Sequence, residues 1–196
     1  VTGLLLAMTC PVDVPYWMIL IGDFFAIILV KQLFGGIGKN FINPALGGRA
    51  ILVASYAGLM GNYSLPKAKL DVVLSTATPM QIMKEGTVEQ WEILTSNYSV
   101  GDMFLGNIGG AMGEVSALAL LLGGAYLVYR KVISVRIPAA YLGTVAILTL
   151  VFHKTDAPVQ WMLYSLFSGG VMLGAIFMAT DYATSPVTAK GQSLYG

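Results

Sequence analysis

VQWMLYSLFSGGVMLGAIFMAT, residues Val159–Thr180, runs for 22 residues without an acidic or basic side chain. A helix needs about 20 predominantly apolar residues to cross a hydrocarbon core about 30 Å thick, so this stretch reads as a membrane span. Upstream lie Ile137–Phe152 (IPAAYLGTVAILTLVF) and Gly113–Tyr129 (GEVSALALLLGGAYLVY). Only His153–Pro158 and a connector holding Arg130, Lys131 and Arg136 separate the three. Links this short imply antiparallel neighbours in a bundle. Further upstream, Asn43–Met60 and Tyr16–Phe34 have the same apolar character. Val1–Cys10 is apolar but too short to span, and has no basic leader of the kind a secretory signal carries. It reads as the exit end of a helix that begins further upstream, just as Lys190–Gly196 reads as a loop.

Composition agrees. Of 196 residues, 56% are hydrophobic and 11% charged, where soluble domains carry about 25% charged residues. Mean hydropathy is +0.74. The solvent for most of the chain is therefore expected to be lipid, and the fold class an all-α, polytopic transmembrane helical bundle. A net charge of +1 gives no reason to expect nucleic acid as a partner. Cys10 is the single cysteine and His153 the single histidine, which argues against a disulfide, a cysteine-ligated cluster or a protein-ligated metal. His153 reads as a residue at the membrane interface.

Between Gly61 and Met112 the character changes. Asp71, Glu85, Glu89, Glu92 and Asp102 fall here with three lysines and many Ser, Thr and Asn residues. The chain thus divides into membrane helices at 1–60, an extramembrane loop at 61–112 and membrane helices at 113–196. Within the loop, Thr78–Leu94 is expected to hold a short helix with Ile82, Met83, Val88, Trp91 and Leu94 on one side. It would lie against the membrane face or a partner. Basic residues gather on the cytoplasmic side of membrane proteins. Arg130, Lys131 and Arg136 are the densest cluster, so that connector is assigned to the cytoplasm, together with Lys31, Lys39, Arg49 and Lys190. Loop 61–112 then lies outside.

Two places suggest broken helices. Gly35–Ala45 (GGIGKNFINPA) and Asp181–Val187 (DYATSPV) each follow an apolar helix and each place a small polar residue before Pro. Asn43 and Ser185 are candidate N-caps, with Pro44 and Pro186 at the first helical position. Discontinuous helices in corresponding places are a sign of an internal repeat; two ordinary loops that both use Pro is the plainer alternative.

The residues that could carry chemistry are few. Ser75, Thr76 and Thr78 put three hydroxyls within four residues, and Pro79 biases Thr78 towards extended backbone. Ser75 and Ala77 are small and leave room for a bulky modification. Asp23 lies inside an apolar segment, at a cost of roughly 2.5–3.5 kcal/mol on insertion scales. It reads either as part of an ion path or as a hydrogen-bonded residue near the outer interface. Glu114 is expected to favour a helix N-terminus, and Lys31 to snorkel to the surface. Gly106, Asn107, Gly109, Gly110 and Gly113 form a glycine-rich entry, suited to tight packing or to an anion. Gly170 and Gly174 form a helix-contact G-x-x-x-G. Asn62-Tyr63-Ser64 and Asn97-Tyr98-Ser99 are sequons, triplets that also arise by chance.

Ser75-Thr76-Ala77-Thr78-Pro79 resembles the flavinylation motif of the RnfD/NqrB family of membrane subunits. Val1–Ala7, Phe34–Asn40, Asn43–Ala45, Leu105–Gly109, Gly113–Ala119 and Thr184–Thr188 resemble the same family in the same order, with the RnfD branch the nearer match. Asp71 stands slightly further upstream of Thr78 than the acid of the family's usual pattern. The resemblance implies FMN joined to Thr78 by a phosphoester, made by a flavin transferase, with Ser75, Thr76, Ala77 and Pro79 around it, and leaves room for a non-covalent riboflavin. It implies a fold similar to urea and ammonium channels, with further helices at both ends. The partners it implies are the other Rnf membrane subunits, including the flavin-bearing G-type one, and soluble iron–sulfur and NADH-binding subunits. Electrons would pass between ferredoxin and NAD while Na⁺ or H⁺ crosses a bacterial inner membrane. A small-solute channel and a structural scaffold are the alternatives.

Overall fold

The computed structural model describes residues 1–36, 39–63, 79–85 and 88–196. These are helical, with no strand among the described residues. In the first part, α1 (Thr2–Met8) leads to α2 (Tyr16–Phe24), which continues as a π-helical segment, Phe25–Gln32. There Leu33 N–H donates to Ile28 O at 3.0 Å and Gly36 N–H to Lys31 O at 2.9 Å, five residues back instead of four. Gly35 and Gly36, at φ 101° and 85°, then turn the chain where a Cβ would be strained. Asn43 caps α3 (Pro44–Ser55) as expected: its side chain accepts from Ala45 N–H at 3.0 Å and Leu46 N–H at 3.4 Å. Small residues bring these helices together. A Cβ on Gly48 would sit 2.8 Å from the Gly22 carbonyl, and one on Gly22 would meet Leu52 at 2.7 Å. Leu6, Cys10, Met18, Leu52 and Met60 fill the core between them, the last from α4 (Ala57–Met60).

Between the two apolar parts, α5 (Pro79–Glu85) and α6 (Val88–Asn97) stand where one short helix was expected. Then follows α7 (Val100–Leu105), opened by a Ser99/Asp102 capping box.

The second apolar part contains α8 (Ala117–Tyr129), α9 (Arg136–Val151), α10 (Pro158–Phe167) and α11 (Val171–Leu173), the last continuing as a π-helical segment, Gly174–Met178. Val159–Thr180 is therefore not one helix. Helices α10 and α11 meet at a 64° bend across Ser168–Gly170. A Cβ at Gly170 would stand 2.7 Å from the Glu114 carboxylate, so a side chain there would have to displace Glu114. A Cβ on Gly174 would touch nothing within 4 Å, so Gly174 makes none of the close contact that its spacing from Gly170 suggested. Ser185 caps no helix. The chain restarts at α12 (Ala189–Tyr195), capped by Thr188, which accepts from Gly191 N–H at 3.2 Å.

The middle helices pack onto this second part. Met83, Leu94, Met103 and Ile108 share a core with Trp161 and Tyr164 of α10. Trp91 stacks 5.4 Å from Trp161 and 5.2 Å from Tyr164, and the Tyr164 hydroxyl donates to Tyr98 O. The sequence left the choice open between the membrane face and a partner; these helices lie on the chain's own α10.

Among the described residues no single helix is long and apolar enough to cross a membrane, though α10 and α11 pass together as a bent pair, and α8 and α9 are shorter apolar helices. Their outward faces are apolar: Leu20 and Phe24 on α2, Leu122 on α8, Ile147 and Val151 on α9 are all more than half exposed.

Candidate functional site

An ion pair between the buried Glu114 and the half-buried Arg49 lies at the α10–α11 bend. Arg49 comes from the middle of α3. Glu114 comes from the segment between α7 and α8, and backbone chemistry drives it inward. Gly106, at φ 98°, turns the chain after α7, and a Cβ there would strike Ser116 at 2.8 Å. Gly113 N–H donates to Met8 O at 2.8 Å and Met112 N–H to Cys10 O at 3.4 Å. Ile108 and Ala111 are fully buried. With this segment pinned to the end of α1, the Glu114 side chain points into the bundle. One oxygen, Oε1, accepts from Ala111 N–H at 3.2 Å; the other, Oε2, faces Arg49 Nη1 at 3.9 Å. The helix-terminus role expected of Glu114 is thereby corrected: α8 begins at Ala117, and Ser116 caps it by accepting from Ala119 N–H at 3.3 Å. With Arg49 27% exposed, water screens the pair in part, so it is worth less than a fully buried one, and it links α3 to the segment before α8 at the bend.

Tyr63 completes the cluster. Burial is the first cause pushing its phenol above the ordinary tyrosine range, and the Glu114 charge adds to it. The Arg49 guanidinium, which also donates a hydrogen bond to the phenol, pulls the other way. On the far side of the bend, the Met80 side chain would lie 3.3 Å from a Cβ on Gly169, and the Ser168 hydroxyl donates to Met83 Sδ at 3.9 Å. Tyr63 and the Pro79–Met80 step, which bracket residues 64–78, thus both abut the same few residues. Ser75, Thr76, Ala77 and Thr78 lie outside the described residues. Pro79 is fully buried and opens α5.

Arg49 also lines a cavity of about 420 Å³ with Thr9, Asn43, Tyr141, Gly170 and Thr184. Two broken regions meet there: the Asn43 amide donates to Met178 O at 3.4 Å, joining the α3 entry to the end of the second π-helical segment. Thr184 Oγ1 is buried with no hydrogen-bond partner among the described residues, an acceptor and donor open to a ligand. A volume in this range is that of a small-molecule site. Asp23 is elsewhere. Its carboxylate packs against Gly3, where a Cβ would stand 3.0 Å from Oδ2, and Oδ1 is buried with no partner among the described residues. His153 is exposed, its Nδ1 2.8 Å from Leu150 O. Sequence reading put Glu114 at a helix end and did not pair it with Arg49. The available signal was that each charge sits inside a run of small and apolar residues.

The profile of the NQR2, RnfD, RnfE family matches residues 1–196. The chain belongs to this family. Within the NQR2, RnfD, RnfE family it is 50% identical, over its whole length, to the D-type subunit of the Na⁺-translocating ferredoxin:NAD⁺ oxidoreductase complex of Acetobacterium woodii, and covers 58% of that protein. Against the proton-translocating counterpart of Clostridium ljungdahlii, identity is 41%, with 99% of this chain and 60% of the relative covered. The B-type subunit of the Na⁺-translocating NADH-quinone reductase of Pseudoalteromonas atlantica is 36% identical, with all of this chain and 49% of the relative covered. The chain spans between about half and three-fifths of the length of these relatives.

Proposed function

We propose that this chain is the core of a bacterial inner-membrane subunit of an ion-translocating ferredoxin:NAD oxidoreductase, with FMN esterified to Thr78 as an electron-transfer station. The observation that carries the reading is the 50% identity, along the whole chain, to the D-type subunit of such a complex. The motif Ser75-Thr76-Ala77-Thr78-Pro79 supplies the hydroxyl. In this reading residues 1–60 and 113–196 are membrane repeats in a channel-like fold, and 61–112 is the extracytoplasmic loop. The apolar outward faces of α2, α8 and α9 support lipid as their solvent, since isolated soluble proteins rarely expose large contiguous apolar patches.

The residues present fit such a group. Pro79, the residue after the motif, is buried, and Met80 beside it packs at Gly169. When bound, FMN supplies one- and two-electron chemistry. The chain supplies the rest: Pro79, buried, anchors the loop to α10, and Arg49 with Tyr63 offers donors to an electron-rich edge. The 420 Å³ cavity, with Arg49, Asn43 and Thr184 on its wall, suits the non-covalent riboflavin. Asp23, with one buried oxygen unpartnered among the described residues, is the ion-path candidate. Partners are the remaining membrane subunits, among them the flavin-bearing G-type one, the soluble iron–sulfur and NADH-binding subunits, and a flavin transferase during maturation.

The test is in-gel fluorescence of the denatured protein after co-expression with a flavin transferase. A fluorescent band that Thr78→Val abolishes is expected; a dark wild-type band contradicts the reading. A second reading, a small-solute channel without redox chemistry, draws on the same cavity and bent helix pair. It gains if liposomes holding the protein pass solute without an electron donor.

A further inference from the structure

We propose that a second cavity, where α8 passes into α9, binds the phosphate of an anionic lipid headgroup. The proposal rests only on the lipid-embedded part of the reading above and is independent of its flavin. The cavity measures about 370 Å³ and shares no lining residue with that of Arg49 and Asn43. Its walls are the α8–α9 connector, the turn after Thr180 and α12. Two bonds tie these walls together: the Tyr182 hydroxyl donates to Val132 O, and Ser134 Oγ donates to Gln192 Oε1 at 3.1 Å. Lys131, Ser134, Ser185 and Gln192 line the cavity, and no Asp or Glu does so among the described residues. With Oε1 facing Ser134, the NH₂ end of the Gln192 amide is a donor. The nearest acid in sequence, Asp181, is engaged in its own turn, where Oδ1 accepts from Ala183 N–H at 3.4 Å. The cavity thus offers an ammonium, hydroxyls and an amide, the donor set that a phosphate takes.

Lys131 is held there at a cost to the backbone. Its φ is 57°, and among the described residues it is the one position other than glycine with positive φ. Lys131 N–H donates to Val128 O and Val132 N–H to Leu127 O, both at 2.9 Å, a helix ending that glycine normally completes. A lysine in this place aims a charge from the connector at the expense of local stability, as functional positions do. The surroundings favour a lipid over a free phosphate. Arg130 and Arg136 are exposed on the same connector, and the apolar Tyr129, Val132, Val187 and Leu194 are exposed around it. Basic and aromatic residues side by side belong to the rim of a membrane protein, and basic pockets on the cytoplasmic side suit anionic headgroups. A soluble anion would have no use for the apolar collar, along which acyl chains can lie.

The experiment is native mass spectrometry of the intact, delipidated complex in detergent, titrated with phosphatidylglycerol. Wild type is expected to retain one phosphatidylglycerol that Lys131→Gln binds at least about tenfold more weakly, and Lys131→Arg to keep it. Lys131→Gly separates binding from folding: without added lipid it is expected to melt no lower than wild type, since glycine suits that backbone, and yet to lose the same lipid. Equal retention by wild type, Lys131→Gln and Lys131→Gly would overturn the proposal, as would equal retention of phosphatidylcholine by wild type. Displacement of the lipid by an equal concentration of inorganic phosphate or glycerol 3-phosphate would overturn the lipid assignment in favour of a soluble anion. A wild-type complex that carbonate washing strips from the membrane defeats the lipid-embedded reading itself, and that failure shows before any lipid is added.

Discussion

Asn43–Pro44 and Ser185–Pro186 use the same local chemistry, and both follow a π-helical segment, yet only the first begins a helix. Downstream packing makes the difference. After Pro44, residues Ala45, Gly47, Gly48 and Leu52 are buried against α1 and α2, so the cap is followed by a face whose burial stabilises the helix. After Pro186, the β-branched Val187 is 95% exposed, and the helix waits for Thr188. Most helical stability in proteins comes from packing an apolar face, and the turn after Pro44 has such a face where the one after Pro186 has not. Both restarts nonetheless reach the same cavity, through Asn43 and Thr184.

The contrast between the two parts is tested most severely through the glycines. Gly48→Ala pushes a methyl to within 2.8 Å of the Gly22 carbonyl, and overpacking of this kind costs about 1–3 kcal/mol. Gly174→Ala, with open space around it, is expected to be neutral or to stabilise by up to about 1 kcal/mol through helix propensity. Denaturation in detergent measures both, and equal losses would mean the two parts are packed alike. A smaller effect separates the caps. Asn43→Ala is expected to cost about 1 kcal/mol, and Ser185→Ala to stay within about 0.5 kcal/mol. A Ser185→Ala loss as large as that of Asn43→Ala would restore the equivalence of the two motifs.

These contrasts bear on what the sequence makes legible. The apolar runs and the Asn43 cap follow from residue type and spacing, and the structure has them. The bend at Ser168–Gly170 does not, because a glycine pair in an apolar run fits a contact stripe as well as a break. What decides it is Glu114, 54 residues before Ser168 in the chain, whose carboxylate fills the place of the missing side chain. The Arg49–Glu114 pair is illegible for the same reason: the segment that turns Glu114 inward is held by backbone bonds to Met8 and Cys10, and backbone bonds leave no mark on composition. The π-helical geometry has no residue signature either.

The smallest expected effect concerns Tyr63. Its phenol is held above the ordinary tyrosine value of 10.0 in the folded chain. The neutral form therefore contributes stability that is fully present below the unfolded value and is lost as pH rises through the folded one. Tyr63→Phe is expected to flatten the alkaline fall in stability. An unchanged alkaline limb would place Tyr63 outside the cluster.

The most direct measurement is the mass of the peptide Leu70–Lys84 from the native membrane complex. One FMN, joined with loss of water as a phosphoester, is expected on this peptide, with fragment ions assigning it to Thr78. An unmodified peptide from a fully assembled, active complex would contradict the electron-carrier reading.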